Sequence, residues 1–165
     1  MQIRPYRADD REDVLGVLRL GLEDQARFAE PSTSPDDPGF FASAWQEQVA
    51  SLTTEPEHWW VAVDEAEIAG VMRLAFWIDE RLGPVASVVE LDVHPRSRNR
   101  GVGSRLLDHA EATARSGAVI MLFIGGFSAN PALRLYRRKG FVESAESLRH
   151  NEGPDHLVLG KRLKT

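Results

Sequence analysis

Cysteine is absent from this 165-residue chain, which excludes disulfides, thiolate nucleophiles and cysteine metal sites and removes any need for an oxidising compartment. Long apolar runs are missing as well. The run Val119–Ile124 is far short of the roughly 20 residues that cross a bilayer, and Met1-Gln2-Ile3-Arg4-Pro5-Tyr6-Arg7 lacks the apolar core of a signal peptide. Basic residues are outnumbered: 20 Lys and Arg against 25 Asp and Glu give a formal charge of −5. That balance argues against nucleic acid or an anionic membrane as the main partner. The histidines His58, His94, His109, His150 and His156 fall at no metal-ligand spacing, so no metal is expected. Tyrosine is scarce, with Tyr6 and Tyr136 alone. What is present, 42% hydrophobic and 27% charged residues, suffices for one core. A single domain over residues 1–165 is expected, with the cytoplasm as its compartment.

Residues 1–7 predict a first strand. Ala8-Asp9-Asp10 supplies a cap, and the stripe Val14, Leu15, Val17, Leu18 and Leu22 predicts a helix to about Gly21. Polar residues 23–39, broken by Pro31, Pro35, Pro38 and Gly39, predict a loop or a broken helix. Phe41, Ala44, Trp45, Val49 and Leu52 then mark a second helix over 40–52. Residues 58–64 and 68–77 flank the acidic turn Asp64-Glu65-Ala66-Glu67 and predict a hairpin. Residues 81–84 turn the chain into a strand from Val85 to Val93, closed by Pro95. A third helix follows from Gly101, then a strand at 119–124 suited to burial on both faces. Asn130-Pro131 opens a fourth helix and Gly140 ends it. Strands at 141–148 and 156–159 flank Asn151-Glu152-Gly153-Pro154. The order β-α-α-β-β-β-α-β-α-β-β is α/β with a mixed sheet.

Chemistry concentrates after the strand that ends at Val93. Arg96, Arg98 and Arg100 alternate into Gly101-Val102-Gly103, and helical periodicity begins there. The first turn of a helix has backbone N–H groups without intrahelical partners, and glycines let an anion approach them. The arginines add forked donors suited to phosphate oxygens. An ordinary glycine turn with solvated arginines is the plainer alternative. Two other phosphate motifs fail, because a dinucleotide fingerprint needs glycine where Leu106 stands and a P-loop needs Gly-Lys-Ser/Thr.

Arg98-Asn99-Arg100-Gly101-Val102-Gly103 fits Arg/Gln-x-x-Gly-x-Gly/Ala, the strand before it ends Leu91-x-Val93-x-Pro95, and Asn130-Pro131-Ala132-Leu133-Arg134-Leu135-Tyr136-Arg137-Arg138-Lys139-Gly140-Phe141 follows. In this order the motifs resemble the GCN5-related N-acetyltransferase (GNAT) superfamily, the acetyl-CoA-dependent acyltransferases. The likeness in element order covers nearly the whole chain. It implies a mostly antiparallel sheet flanked by helices, with a bulge in the central strand and a splay beside it that receives the pantetheine arm. It further implies main-chain bonds to that arm from Leu91, Asp92 and Val93, and a pyrophosphate cradle at Arg98, Asn99, Arg100, Gly101, Val102, Gly103 and Ser104. Asn130 resembles the asparagine that contacts pantetheine, although Ser128 lies near the same place by strand counting; a helix cap alone is the alternative for Asn130. Acetyl-CoA is the implied co-substrate, and the reaction is direct attack by a primary amine of a small molecule or protein. A homodimer is compatible with the family.

Such a transfer needs an unprotonated amine, a site for charge developing on the carbonyl oxygen, and a proton for the departing thiolate. Glu90 is the candidate base. A strand-face carboxylate that only attracts a cation is its alternative, and Asp92, nominally on the same face, shares the task or attracts the ammonium. Tyr136 matches the family's proton donor to sulfur, with a core aromatic as the alternative. Residues 23–39 and 148–156 should build the acceptor side, where Glu23, Asp24 and Glu30 either line a cationic-amine site or are solvated. Trp45 and Trp77 lie on elements flanking it. Two other classes remain open: a CoA-binding regulatory module without turnover, and a nucleic-acid-binding domain that uses the arginines.

Overall fold

The helices and strands follow one another in the predicted order. The computed structural model describes residues 1–28, 38–144 and 156–163. Over these the chain runs β1 (Gln2–Pro5), α1 (Arg11–Phe28), α2 (Pro38–Thr54), β2 (Trp59–Asp64), β3 (Glu67–Asp79), β4 (Gly83–Val93), α3 (Val102–Ser116), β5 (Met121–Phe127), α4 (Ala132–Arg138), β6 (Val142–Glu143) and β7 (His156–Arg162). One seven-stranded sheet has the order β1-β2-β3-β4-β5-β7-β6. Every neighbouring pair is antiparallel except β4 with β5, which gives the expected mixed, mostly antiparallel sheet. Glu30, the strand residues 145–148, His150 and the turn at 151–154 lie outside the described residues.

Helices cover both faces of the sheet. Val14, Leu18 and Leu52 of α1 and α2 pack with Val61 and Val71 on one side. Leu106, Leu107 and Ala110 of α3 pack with Met72, Leu74, Ala86 and Leu122 on the other. Central strand β5 is therefore apolar without alternation. Among the described residues no helix is long and apolar enough to cross a membrane.

Two departures from regularity make the site. Arg73 pairs with Glu90 but Leu74 pairs with Val88, so Val89 is an extra residue, a bulge in β4. Parallel pairing of β4 with β5 ends at Val88 and Ile124, while β5 continues with β7 as far as Phe127. Beyond that point β4 and β5 part, as the family resemblance implies.

The end of α1 corrects the expectation. Its apolar stripe predicts a stop near Gly21, yet the helix continues to Phe28. Gly21 is a point of close approach: a Cβ there would overlap the carboxylate of Asp92. The residues after it, including Leu22, Gln25 and Ala26, are good helix formers.

Candidate active site

Where β4 and β5 part, a cleft of about 1170 Å³ opens between α1, α2, the start of α3 and α4. At one end lies the glycine loop. Asn99 (φ 59°) and Gly101 (φ 81°) hold left-handed conformations, the first tolerable for asparagine and the second natural for glycine. Gly101 is the N-cap of α3 and offers no side-chain cap, so the first-turn N–H groups of α3 keep their bonding capacity. Val102, Gly103 and Ser104 line the cleft there. Gly103 has a second duty, since a Cβ on it would stand 3.2 Å from Leu135 Cδ2 of α4. It lets α3 and α4 pack together.

The arginines divide. Arg98 lines the cleft; its Nε donates to the Val93 carbonyl at 3.1 Å and its Nη2 pairs with Asp24 of α1. Arg96 pairs with Glu67 at 2.7 Å, and Arg100 with Asp64 at 3.0 Å. Neither of these two lines the cleft; Arg98 is the loop arginine that does. In a chain with more carboxylates than cations, alternate side chains of an exposed loop find acidic partners on different sides. Arg134 and Arg138, one turn apart on α4, do line the cleft and are exposed. Among the described residues neither has a carboxylate partner. Sequence reasoning passed over them, although the Asn130–Gly140 segment places them on one helix face.

Main-chain groups line the middle. The His94 N–H bonds the Ala69 carbonyl on the β3 side at 3.0 Å, and alternation along an antiparallel strand turns those of Val93 and Leu91 to the opposite side. There β5 has departed. Asn130 lines the same wall, and its Oδ1 accepts from the Ala132 N–H at 2.9 Å, so it opens α4 as a cap. Gly140 (φ 86°) ends that helix: its N–H bonds Arg137 O at 3.0 Å and the Phe141 N–H bonds Tyr136 O at 3.1 Å, a Schellman closure. The Tyr136…Gly140-Phe141 pattern is thus a helix end that fixes where Tyr136 stands. Tyr136 is buried and lines the cleft. Burial, with a smaller effect of the Asp92 charge, holds its phenol well above the usual range.

Glu90 and Asp92 face the α1–α2 side together, because the bulge at Val89 precedes both and leaves their two-residue spacing intact. Gln48 Nε2 of α2 donates to Glu90 Oε2 at 3.0 Å. Burial and then the Asp92 charge push the Glu90 carboxyl up to about 8, against the Gln48 bond and the Arg73 charge. Burial likewise raises Asp92 to about 7; Arg98 opposes this and Asp24 adds to it. The Glu90 proton affinity is therefore raised by Asp92, whereas the carboxylate that adds to that of Asp92 is Asp24.

Trp77, Glu47 and Phe28 line the other end of the cleft. Trp45 does not, and its ring carries Arg19 at 5.4 Å. Of the acidic trio, Asp24 lines the cleft beside Arg98, while Glu23 is exposed elsewhere. His156, the first residue of the predicted strand 156–159, also lines the cleft. Its ring covers Gly125, where a Cβ would collide with it, and it meets Phe127 edge-on at 5.8 Å. Only the pairing of β5 with β7 brings it there, and no local signal announces that.

The sequence model of the family described as "Acetyltransferase (GNAT) domain" matches residues 55–143, more than half of the chain. The chain belongs to the GNAT acetyltransferase family. The matched span holds β2 to β6, including the bulge, the glycine loop and Tyr136. Solved structures share the fold of this GNAT protein over nearly the whole chain. PaiA N-acetyltransferase from Thermoplasma acidophilum in complex with coenzyme A superposes with TM-score 0.75 at 14% identity, covering 98% of both chains. Ard1 from Thermoplasma volcanium gives 0.72 at 18%, covering 99% of this chain and 98% of that one. N-acetylglutamate synthase from Neisseria gonorrhoeae, complexed with coenzyme A and N-acetyl-glutamate, gives 0.73 at 18%; the match covers 99% of this chain and 35% of that longer one.

Proposed function

We propose that this single-domain protein transfers the acetyl group of acetyl-CoA to a primary amine of a small molecule or protein, by direct attack within a ternary complex. One observation carries the reading: the uncapped start of α3, the free main-chain edge of β4 and the Glu90–Asp92 pair all open on one cleft. These residues fit the co-substrate. The N–H groups of residues 101–104 take the pyrophosphate, Arg98 adds charge from one side, and Arg134 and Arg138 add it from α4. Leu91 and Val93 pair their main chain with the pantetheine amides, and Asn130 stands beside them.

Bound there, the thioester supplies an activated acetyl group, and the protein's residues handle charge and protons. An alkyl amine of pKa about 10.4 arrives as an ammonium, which Glu90, Asp92 and the exposed Glu47 attract. Glu90 then takes the amine proton, since a carboxylate with its proton affinity raised is a stronger base at neutral pH. A β4 main-chain N–H holds the carbonyl oxygen as charge develops. Tyr136 hydrogen-bonds the departing sulfur and gives it a proton as the C–S bond breaks; the second proton of the attacking nitrogen, released as the adduct collapses, restores the phenol, which burial holds protonated between turnovers.

Turnover separates this from a CoA-binding module: a panel of primary amines should release CoA from acetyl-CoA, and calorimetry should show 1:1 binding of CoA. Binding without release from any amine would favour the module. Nucleic-acid binding is disfavoured by the pairing of Arg96 and Arg100 with Glu67 and Asp64.

A further inference from the structure

Among the described residues three buried side-chain atoms have no hydrogen-bond partner: Gln48 Oε1, Arg73 Nε and Trp59 Nε1. They share one neighbourhood. Trp59 and Arg73 are register partners across β2 and β3, and the Arg73 guanidinium lies 5.9 Å from the Trp59 ring centre. Arg73 is in turn the register partner of Glu90, to which Gln48 donates at 3.0 Å. Two of the three unsatisfied atoms thus belong to the residues that flank a single cleft carboxylate, Gln48 by hydrogen bond and Arg73 by register, which points to function rather than stability.

Gln48 is the least expected of the three. It is 2% exposed and sits one turn before Leu52, also 2% exposed, on the face of α2 that packs against the sheet. Leucine or methionine would fill that position without leaving an acceptor unpaired. The one strong contact the amide makes is with Glu90.

We infer that Gln48 is a positioning residue for Glu90: its Nε2 holds one carboxylate oxygen from the α2 side, so that the other faces the amine and the group is kept ready to accept a proton. This rests on the reading of Glu90 as the base. The other charged groups that face Glu90 are Asp92 on its own strand, Glu47 from α2 and Arg73 from β3. Arg73 divides its charge between Glu47 at 3.1 Å and Glu55 at 2.9 Å. With Asp92, Glu47 and burial all favouring the neutral acid, the Gln48 hydrogen bond is the larger of the two influences that restore the carboxylate, ahead of Arg73.

The test is a ¹³C carboxyl titration of Glu90 by NMR, assigned with Glu90→Gln, in the wild type, Gln48→Met and Gln48→Asn. Methionine keeps the volume and removes the donor, so the Glu90 midpoint should rise by about one pH unit, the size expected when a carboxylate loses a hydrogen bond to its charged form. Gln48→Asn draws the amide back by one methylene, out of reach of the carboxylate, and should raise it as well. Thermal stability of Gln48→Met should be unchanged or higher, because the unpaired acceptor is gone. A midpoint that stays at the wild-type value in both variants overturns the inference, as does a fall in stability of Gln48→Met with no change in midpoint. If Gln48→Met does not fold, the polar Gln48→Asn gives the same reading. No acceptor is needed for this titration, so it stands apart from the amine screen. In the enzymatic assay the acidic limb of kcat/KM should move with the NMR midpoint in each variant, and a uniform loss at every pH would reduce Gln48 to packing.

Discussion

Arg98 and Asp24 form an ion pair that ties the glycine loop to α1 across the mouth of the cleft, while Arg98 Nε stays on the Val93 carbonyl. The loop arginine that faces the cleft is thereby held in place before an anion arrives, so little side-chain freedom is lost on binding. Arg98→Ala should weaken CoA binding by about tenfold or more, the order expected for a charge-assisted bond to phosphate. Calorimetry with CoA checks it. Asp92 loses the cation that opposes its neutral form, so its own titration should move to higher pH in the same variant.

Arg134 and Arg138 should act together. Like charges one helical turn apart repel by about 0.2–0.5 kcal/mol, a cost relieved when an anion sits beside them. Replacing both with alanine should lower CoA affinity by about tenfold and flatten its dependence on salt, because two screened charge contacts are lost. An affinity and a salt slope equal to those of wild type would place the cofactor away from α4.

Tyr136→Phe removes the hydroxyl and nothing else. The Schellman closure that positions the ring uses main-chain atoms of Tyr136, Gly140 and Phe141, so fold and CoA affinity should persist. Since burial holds the phenol protonated through the working range, the effect should appear in kcat at all pH values, near the lower end of the roughly 10²- to 10⁴-fold typical of acid catalysis. Pre-steady-state measurement of the chemical step checks it.

What was legible in the sequence was local or repeated. Periodicity, apolar runs and turn residues together marked the helices and strands of the described residues, and the two glycine-bearing motifs marked both walls of the cleft, because a left-handed Gly101 and a left-handed Gly140 are each demanded by their own turn. The continuation of α1 past Gly21 was hidden because that glycine answers to Asp92, far away in sequence. The ion pairs of the arginines were hidden for a similar reason: spacing shows three cations, but which carboxylate each meets depends on β2, β3 and α1. Gln48 and His156 carry no local signal at all. One is a glutamine in an amphipathic helix and the other a histidine at a strand start, and each matters through the element folded against it.

Glu90→Gln is the decisive substitution, because stability and activity should respond to it in opposite senses. The folded protein holds the Glu90 proton up to about 8, above its ordinary value of 4.5. Between those values the folded state carries a proton that the unfolded state has released, so wild-type stability falls as pH rises through that window and levels off above it. Glutamine imitates the neutral acid and escapes the fall. The melting temperature of Glu90→Gln should therefore match wild type near pH 4 and exceed it at pH 9, with the gap opening between the two. Activity should run the other way: wild-type kcat/KM should climb toward pH 8 as the carboxylate forms, while the variant should be strongly depressed at neutral pH and recover in part only where the amine deprotonates unaided. Melts and rate profiles on the same preparations check both halves. A stability gap without a change in the rate profile would leave Glu90 a buried carboxyl that is not the base, and would pass that role to Asp92, whose Asn variant should then show the missing limb near pH 7.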